Sequence, residues 1–356
     1  MGQARGIRAG LRRLARPGPV LALCLALSVI SVAAGCLFGA FPVPAGEALG
    51  ILAAGPNASA PADPAWATVV WDLRLPRACL AWLVGAALAV AGCVFQGILR
   101  NPLADPFTLG TASGAAFGAA MAIHFGLQSS APAWAPWLDP LPAFGLAGAA
   151  AALAGVLLLA RVAGSFSGRT LILAGVVMAA FLQALISLVK SLDEESVASI
   201  VFWIMGGFQG RGWAQVQVFS PYCAAGGAIV WAFSRELDLL RLGDTQARQL
   251  GVAATRARLW LLLGASLLTG GAVAISGIIG FVGLIVPHLV RLAIGPAHGP
   301  LLAASALVGG VLLLWSDVLA RTILAHGAEL PVGVVTALMG GPFFCALLGL
   351  RARQEG

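Results

Sequence analysis

Apolar stretches of about 20 residues, each long enough to cross a ~30 Å hydrocarbon layer as a helix, alternate along this chain with short polar, proline-rich or glycine-rich breaks. Uncharged segments fall near 20–41, 78–99, 106–127, 141–160, 170–189, 213–233, 301–320 and 331–350, with Asp317 the one acidic residue inside them. The run from 259 to 294 is too long for one crossing and too glycine-rich for one straight helix. It divides near Gly277–Gly280, within SGIIG, into two helices. The pattern predicts an all-α, polytopic membrane protein of about ten transmembrane helices. Residues 1–356 form a single transmembrane domain that begins with a cytoplasmic tail over 1–19.

The basic residues test this count. With the N-terminus inside, only Arg74, Arg77, Lys190, Arg211 and Arg321 of the 21 Lys+Arg fall outside. That asymmetry is a positive-inside signature, and it predicts a multi-pass protein of the inner (plasma) membrane with both termini cytoplasmic. An odd helix count would put the basic 235–258 loop and the 351–353 tail on opposite sides.

Composition agrees. Only 10% of the 356 residues are charged and mean hydropathy is +0.94, whereas soluble domains carry roughly 25% charged residues. The net charge of +7 therefore sets topology and does not point to nucleic acid. Five arginines before VAAGC (32–36) resemble a signal peptide with a lipoprotein-type cysteine. The uncharged run continues to Phe41, however, and reads as an uncleaved first helix. The six cysteines form no CxxC and behave as small hydrophobes.

No enzyme chemistry is visible. A phosphate-cradling loop needs GxxxxGK[ST], and the sole lysine, Lys190, sits in LISLVKS with Val189 where the glycine belongs. There is no HExxH, no GxSxG and no metal-spaced Cys/His cluster, so the sequence predicts no catalytic residue, no metal site and no cofactor of its own. Proton- or ion-coupled carriers bury acidic groups in mid-membrane. Only Asp317 qualifies, and its position four residues before Arg321 suggests an i,i+4 ion pair. A passage without an engine needs another chain to drive it.

Two polar islands stand out. In RNPLADPFTLGTASGAAFGAA (100–120), Asn101-Pro102 should end one helix. Asp105 with Pro106 reads as an N-cap followed by proline at the first helical position. In RLGDTQARQLGVAATRAR (241–258), Gly243-Asp244-Thr245 can cap a short helix, TQARQL, that Gly251 stops in the left-handed conformation. Positive-inside topology explains the arginines but not the capped helix. A faint echo between 85–97 and 270–283 would suit an inverted repeat, although small residues at helix contacts explain the same glycines.

These motifs together resemble the FecCD-type permeases, the family that imports iron–siderophore complexes, haem and vitamin B12. The resemblance rests on LRLPR (73–77), GAALAVAGCVFQGILRNPLADPFTLGTASGAAFG (85–118), LILAGVV (171–177), FWIMGGFQGRGW (202–213) and LGDTQARQLGV (242–252). SGIIGFVGLIVPHLVRLAIG (276–295), SDVLARTI (316–323) and ELPVGVVTALMGGPFF (329–344) complete it. It implies the type II ABC importer permease fold, working as a homodimer. A periplasmic substrate-binding protein would sit on one side, and two cytoplasmic ATPase subunits on the other would supply ATP and Mg.

On that resemblance, Asp244, Thr245, Ala247, Arg248, Gln249, Leu250 and Gly251 form the ATPase-docking helix. Arg74, Arg77 and Arg321 receive carboxylates of the binding protein, and the acidic turn 193–195 would repel it locally. Asn101, Pro102, Asp105 and Pro106 form a cytoplasmic turn, and Ser167 and Thr170 a gate. His288 reads as packing more readily than as an iron ligand, with Gln96 and Tyr222 as weak pathway candidates. The expected cargo is a ferric siderophore, with haem or cobalamin as alternatives. An ion-coupled carrier, or a membrane scaffold with no transport, is the reading of another class.

Overall fold

The computed structural model describes residues 17–55, 63–127, 135, 138–324 and 327–355. The tail residues 1–16, and Trp134 and Trp137, lie outside them. Among the described residues every regular element is helical.

Seven elements account for the long crossings. They are α1 (Pro17–Gly35), α3 (Pro64–Leu99, with a π-helical stretch at Thr68–Arg74), α5 (Pro140–Val162), α6 (Gly168–Leu192), α8 (Trp213–Ala232), α11 (Ala254–Ser276) and α13 (His298–Thr322). Six of these are long and apolar enough to span a membrane alone. The seventh, α8, does so together with α9 (Ser234–Leu240), bent from it by 54°. The other three expected spans are shorter: α4 (Thr111–His124), α12 (Val282–Ile294) and α14 (Val332–Glu355), whose described apolar part is Val332–Ala346. Small surface elements are α2 (Ala45–Ala54), α7 (Val197–Ile204) and α10 (Asp244–Gln249).

Helix α3 is the axis of the bundle. From Ala78 to Leu99 nearly every residue is buried, against α13, α11, α12, α8 and α1. Lipid offers no hydrophobic drive between helices, so close backbone approach through small residues does the work. A Cβ added at Gly92 would lie 1.8 Å from the Gly283 carbonyl oxygen of α12, and one at Gly85 would lie 2.3 Å from that of Gly309 in α13. No side chain fits at either contact.

The short helices have local causes. Asp105 does not cap α4, contrary to the sequence expectation, and Pro106 is not its first residue. The Asp105 carboxylate instead accepts from the amides of Phe107 (2.9 Å) and Thr108 (3.1 Å), while its own amide donates to Thr108 Oγ1 (2.9 Å). This closes a separate turn, and α4 starts five residues after Pro106, beyond Gly110 at φ +73°. At α12, Gly277 (φ +70°) ends α11 and Phe281 adopts φ +68°, a left-handed backbone unusual for a bulky residue.

Both irregular stretches sit inside the bundle. Pro106 packs on Gly283, which faces Gly92, seven residues before the end of α3. That is about 11 Å from the helix end at 1.5 Å rise per residue. Non-helical backbone at such depth is tolerated only where protein buries it or a cavity runs beside it, the arrangement of discontinuous helices in transporters.

Candidate functional site

Hydrogen bonds and ion pairs between connections tie the loops into two groups, one at each end of the bundle. One end carries 100–110, 163–167, 233–253 and 295–297 and is rich in arginine. Among the described residues, the opposite end carries 36–55, 63, 193–212, 323–324 and 327–331.

At the arginine-rich end, α10 stands within one residue of its expected bounds. Its stop is a two-bond C-terminal motif: Gly251 (φ +85°) donates to the Arg248 carbonyl at 3.0 Å, and Val252 to that of Ala247 at 3.0 Å. Ala247 is fully buried and tethers the helix, leaving Thr245, Gln246, Arg248, Gln249 and Leu250 exposed. Asp244 is not the side-chain cap that the sequence suggested. Gly243 occupies the cap position, with no side-chain bond to the helix amides.

The Asp244 carboxylate instead joins three parts of the chain. Its Oδ1 accepts from Arg100 Nη2 at 2.5 Å and from Arg258 Nη2 at 2.9 Å. Arg100 ends α3 in the left-handed conformation and also donates to the Leu240 carbonyl. Arg258, buried in α11, sends Nη1 to the Phe166 carbonyl at 2.7 Å. Burial alone would raise the Asp244 carboxyl, but the hydrogen bond and charge of Arg258, with those of Arg100, outweigh it and hold it below the ordinary carboxylate value.

Phe166 immediately precedes the expected gate residues. Ser167 caps α6, accepting from the Thr170 amide at 3.3 Å, and its hydroxyl lies 2.9 Å from Thr170 Oγ1. Ser167 and Thr170 are therefore a helix cap. One guanidinium, Arg258, links that cap to α10. Of the expected turn, Asn101, Pro102, Asp105 and Pro106 all lie in the 100–110 connection between α3 and α4. Asn101 Oδ1 accepts from the Leu103 amide at 3.0 Å.

At the opposite end the expected acceptor arginines come together, but facing inward. Arg77 makes paired bonds to Asp317 (2.8 and 3.0 Å) and to Glu329 (2.8 and 3.0 Å). Arg321 donates to the Gly35 carbonyl at 2.8 Å and lies 3.7 Å from Asp317, so the i,i+4 pair exists but Arg77 is the principal partner. Arg74 donates to the carbonyls of Cys36, Leu37 and Phe41. These side chains do not snorkel to the surface, and Arg74 and Arg321 present no free guanidinium there. In the acidic turn, Asp193 is held by His124 (2.9 Å) and Ser196 (2.6 Å), leaving Glu194 and Glu195 exposed.

His288 lies edge-on to Phe343 and lines a cavity with Gln96 and Arg291; Tyr222 packs against Gly271. Among the described residues no group of three His, Cys, Asp or Glu could hold a metal ion.

Sequence reasoning missed Arg258, Arg100 and Glu329. For Arg258 a signal existed. It falls in the buried stripe Ala254, Ala257, Leu261, Leu262, Ala265 of α11, where helical spacing demands an internal partner for a cation.

The profile of the FecCD transport family matches residues 23–349. The chain is 41% identical over 286 residues to the cobalamin import system permease protein BtuC of Halobacterium salinarum, covering 79% of this chain and 73% of that protein. It is also 41% identical over 280 residues to the Fe(3+) dicitrate transport system permease protein FecD of Escherichia coli, covering 79% and 85%. A solved structure described as an inward-facing conformation of a putative metal-chelate type ABC transporter superposes with TM-score 0.80 at 34% identity, over 93% of this chain and 99% of that one.

Proposed function

The chain belongs to the FecCD transport family and is an ABC importer permease, and from that premise we propose that it carries a ferric siderophore or related iron chelate from periplasm to cytoplasm. Haem or cobalamin is the alternative cargo, since relatives of equal identity are named for iron dicitrate and for cobalamin. The arginine-rich end faces the cytoplasm, and two copies of the chain flank the pathway. Two ATPase subunits dock on α10 through its exposed residues, and a periplasmic binding protein delivers the cargo at the opposite end.

One observation carries the mechanical part of this reading: the bridge from Asp244 through Arg258 to the Phe166 carbonyl. A push on α10 moves Asp244, Arg258 follows its carboxylate, and the cap of α6 at Ser167–Thr170 follows Arg258. The broken backbone at 101–110 and 277–281 gives the bundle places to yield beside that path. The chain itself supplies no nucleotide chemistry. ATP and Mg belong to the partner subunits.

Vesicles reconstituted with the permease, the ATPase and a loaded binding protein test it. Uptake is expected only with hydrolysable ATP inside. Arg248→Glu combined with Gln249→Glu is expected to abolish stimulated uptake while leaving the helix content intact. Uptake on an ion gradient without the ATPase would overturn the reading in favour of a secondary carrier. Hydrolysis that ignores the loaded binding protein would favour a scaffold.

A further inference from the structure

A cavity of about 400 Å³ opens beside the docking helix, walled by Gln96, Arg100, Pro102, Arg241, His288 and Arg291. Three guanidiniums share it. Of the three, Arg100 alone has a carboxylate partner, Asp244. Arg241 donates to the Pro296 carbonyl at 2.9 Å and Arg291 to Gln96 Oε1 at 3.0 Å, both neutral acceptors. Among the described residues neither forms an ion pair. Arg291 Nε is buried without a hydrogen-bond partner.

Topology does not require this arrangement. The positive-inside bias is satisfied by arginines anywhere on that side, whereas like charges converging on one partly buried cavity repel one another unless an anion answers them. We infer that the cavity is a binding site for a phosphate-type oxyanion, held by Arg241 and Arg291 with Arg100 at its edge. Guanidinium forks match phosphate oxygens bidentately, which suits Arg better than any other side chain here. The outer surface of α12 beside Arg291 exposes Leu289 and Leu292. An anionic phospholipid could therefore place its headgroup in the cavity and its chains along the helix, as basic pockets between membrane helices do. Free phosphate satisfies the same donors without the chains.

The full-length permease, purified in neutral detergent and stripped of lipid, tests this by its thermal unfolding midpoint. The probes are phosphatidylglycerol, phosphatidylcholine and inorganic phosphate. Phosphatidylglycerol should raise the midpoint where phosphatidylcholine does not, with half-effect at a concentration raised roughly tenfold by Arg291→Gln or Arg241→Gln. Arg241→Gln guards against misfolding, because Arg241 is exposed and makes only one carbonyl bond. Arg161→Gln, an exposed arginine at the end of α5, should leave the response unchanged and so exclude general charge attraction. An equal response to inorganic phosphate keeps the site and assigns it to a soluble anion. No response to either anion, or the same response in both cavity variants as in the wild type, overturns the proposal.

Discussion

Each end of the bundle holds an aspartate between two arginines, yet the two clusters are built for opposite purposes. Asp317 is 1% exposed and locked by paired bonds from Arg77, which Glu329 grips from the other side. Asp244 is 36% exposed and takes one bond from each of two arginines that belong to different helices. A buried, doubly bonded cluster is costly to open because each charge would be stranded in low dielectric. A half-exposed carboxylate can exchange partners with water at little cost. The first is a rivet that fixes α3 to α13. The second is, on the proposed function, a hinge between α10 and the cap of α6.

That comparison can be broken most forcefully at the rivet. Asp317→Asn should destabilise the permease by about 3–5 kcal/mol, the range for stranding one partner of a buried pair, read as a lower unfolding midpoint in detergent. Gly92→Ala tests the packing beneath it. The added methyl cannot fit 1.8 Å from the Gly283 carbonyl, so a loss of about 1–3 kcal/mol or more is expected. At the hinge, Asp244→Asn should cost only about 1–2 kcal/mol in stability, while impairing transport. A fold as weakened by Asp244→Asn as by Asp317→Asn would erase the distinction.

The smallest effect concerns pH. The arginines hold the Asp244 carboxyl below its ordinary value. Its contribution is therefore fully present above the unfolded-state carboxylate range and is lost as pH falls through the depressed folded value. The Asp244-dependent part of stability, measured as the difference between wild type and Asp244→Asn, should stay flat from pH 8 to about pH 5 and shrink only in stronger acid.

The two clusters also differ in how far they could be read from sequence. The six long apolar spans, and a seventh across the bend of α8 and α9, were legible because lipid favours long, apolar crossings, and α10 was legible because Gly251 marks its stop. The i,i+4 relation of Asp317 and Arg321 was visible for the same local reason. What escaped was non-local. Arg77 reaches Asp317 across 240 positions and Arg100 reaches Asp244 across 144, and no local pattern encodes such a pairing. The start of α4 was misplaced because Asp105-Pro106 is as good an opening for an isolated turn as for a helix, and the bonds exchanged between Asp105 and Thr108 close the turn. The binding protein's expected acceptors, Arg74 and Arg321, turned inward because carbonyls left open at the end of α1 claim them.

On the proposed function, Arg258 carries motion from α10 to the cap of α6 through Asp244. A double-mutant cycle on uptake per ATP hydrolysed, in vesicles holding the complete importer, tests it most directly. Asp244→Asn and Arg258→Gln should each lower that ratio roughly tenfold, with hydrolysis retained, a change typical of coupling between sites. The double variant should be no worse than either single one, because both remove the same link. Wild-type ratios in the single variants, or losses that simply multiply in the double variant, would contradict the account.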